Sequence, residues 1–409
     1  MSSFAPSPAS LKSQPAIAIC GGGIGGLATA LALHQAGFRA VVFEKADAGQ
    51  LRSEGLFLTL APNGINALRA LGLAETVLAA GLQTNGLAIY NERGRLLTIV
   101  DYATHAQSFG AASVTIGRGA LAGILLDAAV AAGMEIRHGH AIDKARETDG
   151  GVELTVAGTI EHFAIALACD GIRSRMRQHI FPDLPQPVYS GQIGTGGIID
   201  IPDIAPTDGL MRMTFGRKAF FGYIKAPGRP VHWFNSFPTR QASAASVQDP
   251  AAFGSQLRAM HADDPLDNAA ILASAGPIAR NYPIYDMPEL ARWHSDRVLL
   301  MGDAAHAVAP HSGQGASMAI EDAIVLAACL AAEHNSVEAF ARFQRLRRDR
   351  VARAIRLGRA SGSQKLAQNW FELKLRDMIL PIVMPMAARM QSALFSFRVD
   401  QHPLATPHQ

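Results

Sequence analysis

The sequence predicts an α/β fold: a doubly wound sheet assembled from separated stretches of chain, with a β-rich insertion and a helical C-terminus. Three observations predict it. "AIAIC" (16–20) runs through "GGGIGG" into a segment of helical period and then into "AVVFEK", a βαβ unit of about thirty residues. From about 186 to 285 the texture changes: glycine, proline and aromatics crowd short alternating runs. "RVLLMGD" (297–303) then restores the buried-strand pattern, and beyond Ile320 the chain reads as helical.

Each element has its own warrant. The first strand is short, apolar and bounded by glycine. The helix after it places Leu27, Leu31 and His34 one turn apart and stops at Gly37, a C-cap residue. "ALRALGLAETVLAAG" (67–81) and "ALAGILLDAAVAAG" (120–133) read as helices ending near glycines. "MEIRHG", "GVELTVA" and "FAIALACDG" read as strands. In the insertion, "KAFFGYIKAPGRPVHWFNSFP" reads as two strands joined by a Pro-Gly turn. No internal repeat is present. Residues 341–360 carry eight arginines, several at helical spacing, and are expected to present a solvated helix face.

Composition bounds the function. The chain has 409 residues, 49% hydrophobic and 17% charged, enough for two or three globular domains. A net charge of +3 gives no electrostatic footprint for nucleic acid. Cys20, Cys169 and Cys329 each lie in an apolar run, which implies buried reduced thiols in a cytoplasmic protein. No Cys/His spacing suits a metal. The first fifteen residues, "MSSFAPSPASLKSQP", lack the apolar stretch of a secretory signal and read as a flexible tail. No run of about 18 uncharged apolar residues predicts an integral membrane span. The nearest, "MILPIVMPMAARMQSALF" (378–395), contains two prolines and an arginine. It is read as core or interface packing, with membrane-surface contact as the second reading.

The first nucleotide signal is Gly21-x-Gly23-x-x-Gly26, between strand and helix. Gly21 permits the tight turn, Gly23 lets backbone approach a pyrophosphate, and Gly26 lets helix and sheet pack closely. The helix N-terminus then offers free N–H groups to the phosphates. Glu44 ends the next strand, at the offset of a ribose-binding acid, and would repel a 2′-phosphate. These residues fit FAD or NAD alike. The second signal separates the two. In "GDAAHAVAPHSGQGASMAIEDA" (302–323), Asp303 follows a buried strand and is placed to accept hydrogen bonds from ribityl hydroxyls. Pro310 fixes the backbone, and Gly313-Gln314-Gly315 opens a helix whose N-terminus suits the negative charge of a reduced flavin. The cofactor expected is therefore FAD.

With these motifs the sequence resembles the FAD-dependent monooxygenases of the single-component aromatic hydroxylase type, related to para-hydroxybenzoate hydroxylase. "GGGIGG" with Glu44 is similar to that family's first fingerprint. "CDGIRSRMR" (169–177) is similar to its Asp-Gly motif, and the resemblance gives Asp170 a role toward FAD and the pyridine nucleotide. The 302–323 stretch is similar to its Gly-Asp motif. "LAPNGINALRALGL" (60–73) and "IGRGALAGILL" (116–126) also resemble family segments, with Arg118 where the family places an FAD-contacting arginine. The resemblance runs from residue 16 to about 358 and is weakest in the β-rich insertion. Ser317 departs from it, since many members carry asparagine there. The family implies a Rossmann-like FAD-binding domain (16–75, 106–185 and 286–360), a substrate-binding domain (76–105 and 186–285) and a C-terminal helical segment (361–409).

It also implies the chemistry. NADH or NADPH binds transiently and reduces FAD, O2 adds to give the C4a-hydroperoxyflavin, and its distal oxygen attacks an electron-rich ring. "GQIGTGGIID" (191–200) has glycines without a strand-to-helix context, so no second dinucleotide domain is expected. No Ser/His/Asp or paired-carboxylate arrangement is present, as suits a reaction whose hard step belongs to the cofactor. His306 and His311 bracket Pro310. His306 is read first as a packing histidine beside the flavin loop and second as a base, and Pro310 as part of the pocket wall near the reactive flavin edge. The insertion offers Arg212, Phe220, Phe221, Tyr223, His232, Trp233 and Phe234. Phe221 and Tyr223 share a strand face by alternation. With Trp233 they are read as the platform for an aromatic ring, Tyr223 also as a catalytic phenol and Arg212 as partner to a substrate carboxylate; sheet core is the other reading of each. The expected activity is hydroxylation of a small aromatic or heteroaromatic compound, an acid among the options, by a monomer or homodimer. A reductase of the same fold that does not use O2, or a non-catalytic flavin module, are the other readings. A flavin halogenase is not expected, because no tryptophan lies in a Trp-x-Trp-x-Ile motif.

Overall fold

The structure, a computed structural model, describes residues 17–53, 55–240, 247–308, 313–362 and 369–399. Its centre is a five-stranded parallel sheet in the order Val298–Leu300, Ile165–Ala168, Ile17–Cys20, Ala40–Glu44, Glu135–His138. Parallel strands need cover on both faces, and the first three of these are apolar throughout and wholly buried. The helix Ile24–Gln35 packs between this sheet and the helix Gly315–Ala332. Its residues from Gly26 to Leu33 are buried on every side and nearly all apolar, and only its last turn, with His34 and Gln35, reaches solvent. Gly25 and Gly302 both pack against Ala319, which draws the two motif-bearing segments together.

A seven-stranded sheet forms the second region. Its order is Tyr282–Asp286, Val188–Ile199, Val231–Pro238, Phe220–Ile224, Leu210–Phe215, Gly86–Asn91, Leu96–Asp101. All pairs are antiparallel except Leu210–Phe215 with Gly86–Asn91, the parallel seam where two distant stretches of chain meet. One face is covered by the helices Pro250–Met260 and Asn268–Ser274, over a core of Phe221, Tyr223, Trp233, Leu257, Ile271 and Leu272. The other face is turned toward the C-terminal helix Trp370–Phe395, where Ile89, Phe215 and Phe220 meet Leu380.

Four expectations need correction. The helix expected over 67–81 is two, Pro62–Ala70 and Ala74–Ala80, because Gly72 adopts φ +75° between them. The insertion holds helices as well as strands. The first starts where Asp249 accepts hydrogen bonds from the N–H groups of Ala251 and Ala252 and Pro250 takes the first helical position. The arginine-rich helix Ser336–Gly362 is not simply a solvated face, since Arg347 is 1% exposed. The segment 378–395, expected as core or interface packing, packs on one side only: its helix continues through Pro381 and Pro385, anchored by buried Leu380, Leu394 and Phe395, with its outer side open. Among the described residues two helices are long and apolar enough to cross a membrane by length and composition. Gly315–Ala332 is mostly buried in the core, whereas little of Trp370–Phe395 is buried.

Candidate active site

The motif residues gather at the carboxyl ends of the parallel strands, where such sheets bind ligands. Gly21 follows Ile17–Cys20, Glu44 ends Ala40–Glu44, Asp170 follows Ile165–Ala168, and Gly302-Asp303 follow Val298–Leu300. Gly21 takes φ +108°, and a Cβ there would strike the Cys169 carbonyl; a Cβ on Gly26 would strike the carbonyl of Gly21. At Gly23 a Cβ would meet nothing within 4 Å. That open space lies at the start of Ile24–Gln35, whose N-terminus no side chain caps. Glu44 is buried and accepts hydrogen bonds from the N–H groups of Gly22 (2.6 Å) and Ala46 (2.8 Å), which fixes its carboxylate beside the glycine turn.

The Gly-Asp loop faces the same cleft. Gly302 needs its left-handed φ of +50° to turn out of the strand. Asp303 is solvent-accessible yet deep within the molecule. Desolvation raises its carboxyl above the ordinary range, and Arg118 and His306 pull it back. Gly315 opens the helix Gly315–Ala332, again with no side-chain cap, and a Cβ there would lie 4.0 Å from Asp303 Oδ1. Arg118, at the start of Arg118–Ala131, is exposed, and its N–H holds the carbonyl of Leu56 at 2.8 Å. Asp170 accepts from the Met176 N–H at 3.1 Å, and burial raises its carboxyl. Two uncapped helix starts, an accessible carboxylate and a glycine turn with open space above it fit a long, phosphate-bearing dinucleotide.

A cavity of about 310 Å3 adjoins this cleft. Gly313 and Gln314 form its cofactor side; Met211, Met213, Phe215, Phe220 and Phe234 form its sheet side; Met384 and Phe395 of the C-terminal helix close it. No side chain lining it among the described residues carries a charge. Its polar groups include Thr59, Tyr102, Ser113, Ser236 and Gln391. Behind Tyr102 stacks His105, 4.5 Å between ring centres, with Nδ1 3.0 Å from Ser113 Oγ.

A family model described as an FAD binding domain matches residues 14–358. The chain belongs to this FAD-binding family. It is 30% identical over 377 residues to an aurachin C monooxygenase/isomerase of Stigmatella aurantiaca, covering 90% of this chain and 95% of that one. It is 28% identical over 360 residues to a 6-hydroxynicotinate 3-monooxygenase of Bordetella bronchiseptica, covering 86% and 91%. In fold it matches Klebsiella pneumoniae HpxO complexed with FAD and uric acid, with a TM-score of 0.82 at 23% identity over 95% of this chain and 98% of that one. It is a flavoprotein monooxygenase, and FAD is its cofactor.

Within this family frame, the residues expected from sequence separate into two groups. Gly21, Gly23, Gly26, Glu44, Arg118, Asp170, Asp303, Gly313 and Gly315 are brought to one cleft. Arg212, Phe221, Tyr223 and Trp233 are not at the cavity. They occupy the opposite face of the seven-stranded sheet, and the physical reason is parity. On Leu210–Phe215 and Phe220–Ile224 the cavity takes Met211, Met213, Phe215 and Phe220, so their neighbours Arg212, Phe221 and Tyr223 point under the two helices. There the Tyr223 hydroxyl donates to Asp267 at 2.6 Å and accepts from Arg212 at 3.1 Å. Burial, then Asp267, raises the phenol's pKa, so it is a satisfied core group rather than a catalytic one. Phe221 stacks on Trp233 at 5.7 Å. Pro310, with His311, lies outside the described residues.

His306 is also not positioned as a base. It is 3% exposed, and its Nε2 pairs with Asp322 Oδ2 at 2.6 Å. Asp322 also holds Arg347 Nε at 2.6 Å and receives the Gly302 N–H at 3.4 Å. Burial acts to raise the Asp322 carboxyl, but His306 and Arg347 outweigh it and bring it down to about 2. Next to it, Glu321 accepts from Arg347 at 2.8 Å, from Arg350 Nε and Nη2 at 2.7 Å each and from Asn63 at 2.7 Å; Asn63 also reaches Gln314 at 3.0 Å. Arg177, fully buried, donates to the carbonyl of Ala304 at 2.7 Å. This charge network braces the Gly-Asp loop from behind. Sequence reasoning missed Asn63, Arg177, Glu321, Asp322, Arg347 and Arg350. The one signal for it was the "ED" at 321–322, near the end of the motif that also contains His306. Ser317, where the family resemblance is broken, is buried against Gly64 rather than open to the cleft.

Proposed function

We propose that this monooxygenase hydroxylates a neutral, largely apolar aromatic compound held in the cavity between the Gly-Asp loop, the sheet face of Met211, Met213 and Phe220, and the C-terminal helix. One observation carries this reading: no cationic side chain among the described residues lines that cavity. A carboxylate placed there would lose its hydration without a charged partner, at a cost of several kcal/mol. Arg212, the expected partner for an acid, is on the other face and engaged with Tyr223 and Asp267. Met211 and Met213 supply adaptable apolar contact, and Phe234 an aromatic wall made possible by Gly222, whose missing side chain leaves room for that ring.

The site residues divide the work. Gly21, Gly23 and Gly26 with the start of Ile24–Gln35 would hold the pyrophosphate, Glu44 the ribose, and Asp303 the ribityl hydroxyls. Arg118 and Asp170 would border the cofactor, and the start of Gly315–Ala332 would face the flavin's pyrimidine edge. When bound and reduced by NAD(P)H, FAD supplies the activated oxygen from O2 that aromatic hydroxylation requires. The chain's own contribution is to orient the ring and keep water out, which the apolar cavity wall does. Residues 16–75, 106–185 and 286–360 would form the cofactor domain, and 76–105 with 186–285 the substrate domain. The test is a panel of neutral and carboxylated aromatics of matched size. Neutral compounds should stimulate NAD(P)H oxidation and yield products one oxygen atom heavier by mass analysis. Stimulation by the acids alone would refute the reading.

A further inference from the structure

We propose that the outer face of the helix Trp370–Phe395 is a docking surface for an anionic lipid bilayer. Phe371, Leu375, Met378, Ile382, Met386 and Met390 recur every three or four residues and form one stripe along the helix. Met378 is 71% exposed and Ile382 69%. Half of the large apolar side chains left exposed among the described residues belong to this one helix. Leu96 and Ile99, also exposed, sit on the strand Leu96–Asp101 that packs beside it. Soluble surfaces normally scatter such residues singly, and a continuous patch marks an interaction site.

Charge decides between a bilayer and a second copy of the chain. From Met378 to Phe395 there is no carboxylate, and the single charge is the exposed Arg389. Around the stripe Arg93, Arg95, Lys374 and Arg389 are exposed against the exposed carboxylates of Glu372 and Asp101, four cations to two, while Arg376 is buried and paired with Glu92 and Asp377. The Lys374 ammonium lies 4.4 Å from the centre of the exposed Trp370 ring, an amphipathic aromatic and a cation together at one end of an apolar face. A cationic margin complements anionic headgroups. A two-fold pairing of the same patch would instead set the cationic margins of two copies against each other. The inner side of the helix, through Met384, Ala387, Ala388 and Phe395, is the cavity wall. Docking would therefore hold the uncharged cavity about one helix diameter, ~10 Å, from lipid. Delivery of an apolar substrate by that route rests on the neutral-substrate reading; the docking itself does not.

The experiment is co-sedimentation of the full-length holoprotein with vesicles of phosphatidylcholine and phosphatidylglycerol in equal parts, and of phosphatidylcholine alone. The variant carries Met378→Glu and Ile382→Glu, two exposed positions away from the cavity, with bound flavin as the check on folding. The wild type should pellet with the mixed vesicles, more weakly with phosphatidylcholine alone, and the variant's affinity should fall at least about tenfold. The inference is overturned if the wild type stays in the supernatant with both vesicles, or if the variant binds as well as the wild type. It is also overturned if sedimentation velocity shows a lipid-free dimer that the variant converts to monomer while vesicles go unbound. The readout is binding rather than turnover, so failure here is distinguishable from failure of the substrate assignment.

Discussion

The parallel sheet and the seven-stranded sheet present opposite solutions to building half a site. At the parallel sheet the cleft is formed by backbone turns and helix starts, stiffened from behind by buried charge: Asp322 between His306 and Arg347, Glu321 between Arg347, Arg350 and Asn63. At the seven-stranded sheet the cavity is a surface of methionine and phenylalanine with no charge among its described lining. The difference is one of tolerance. A turn that must clear a carbonyl, or a buried carboxylate held by an arginine and a histidine, admits few alternatives, because an unpaired buried charge is costly. An apolar wall needs only the right volume and shape, so many residues serve.

The largest effect should come from breaking the charged side. Asp322→Ala leaves His306 and Arg347 without their shared carboxylate and should cost about 3–5 kcal/mol in urea unfolding, with loss of bound flavin. A variant as stable as the wild type would remove the contrast altogether. The same carboxyl sets an acid limit. Its folded pKa, about 2, is below the unfolded value near 4, so its contribution is complete above about pH 4 and fades as pH falls toward 2. Unfolding midpoints of wild type and variant should therefore converge in that window.

A smaller effect is expected where the cleft meets the cofactor. Asp303→Ala should keep the fold but weaken FAD binding by about 1.5–3 kcal/mol, roughly ten- to more than a hundredfold, read by flavin retention on purification and by titration of the apoprotein. Unchanged flavin occupancy would remove Asp303 from the site. The smallest effect sharpens the other half of the comparison. Phe234→Ala should alter KM for an aromatic substrate and raise NAD(P)H oxidation that yields no product, since the cavity wall is opened to water. Tyr223→Phe, on the covered face, should leave kcat/KM within about twofold and cost only about 1 kcal/mol of stability. The reverse pattern would return the active surface to the Tyr223 side.

How much was legible follows the same division. That Gly21, Gly23, Gly26, Glu44 and Asp303 gather at one cleft could be read, because turn geometry and strand ends constrain residue type and spacing together. The cavity could not be read, because alternation shows that Phe220 and Phe221 face opposite ways without showing which way holds the substrate. The charge network was half visible: His306 and Asp322 belong to one quoted motif, but Arg347 comes from a helix whose seven other arginines disguise the one that is buried.

By itself the sequence determined the α/β class, the βαβ unit at the first strand, the return of the chain to the parallel sheet at Val298–Leu300, and the FAD cofactor. These rest on local patterns, periodicity and turn chemistry, which act over a few residues. Only the tertiary structure decided which sheet face became the cavity wall, which arginine was buried, and that the helix Trp370–Phe395 closes the cavity on one side while leaving an apolar stripe on the other. Those are questions of what packs against what across hundreds of residues, and no local pattern carries that information.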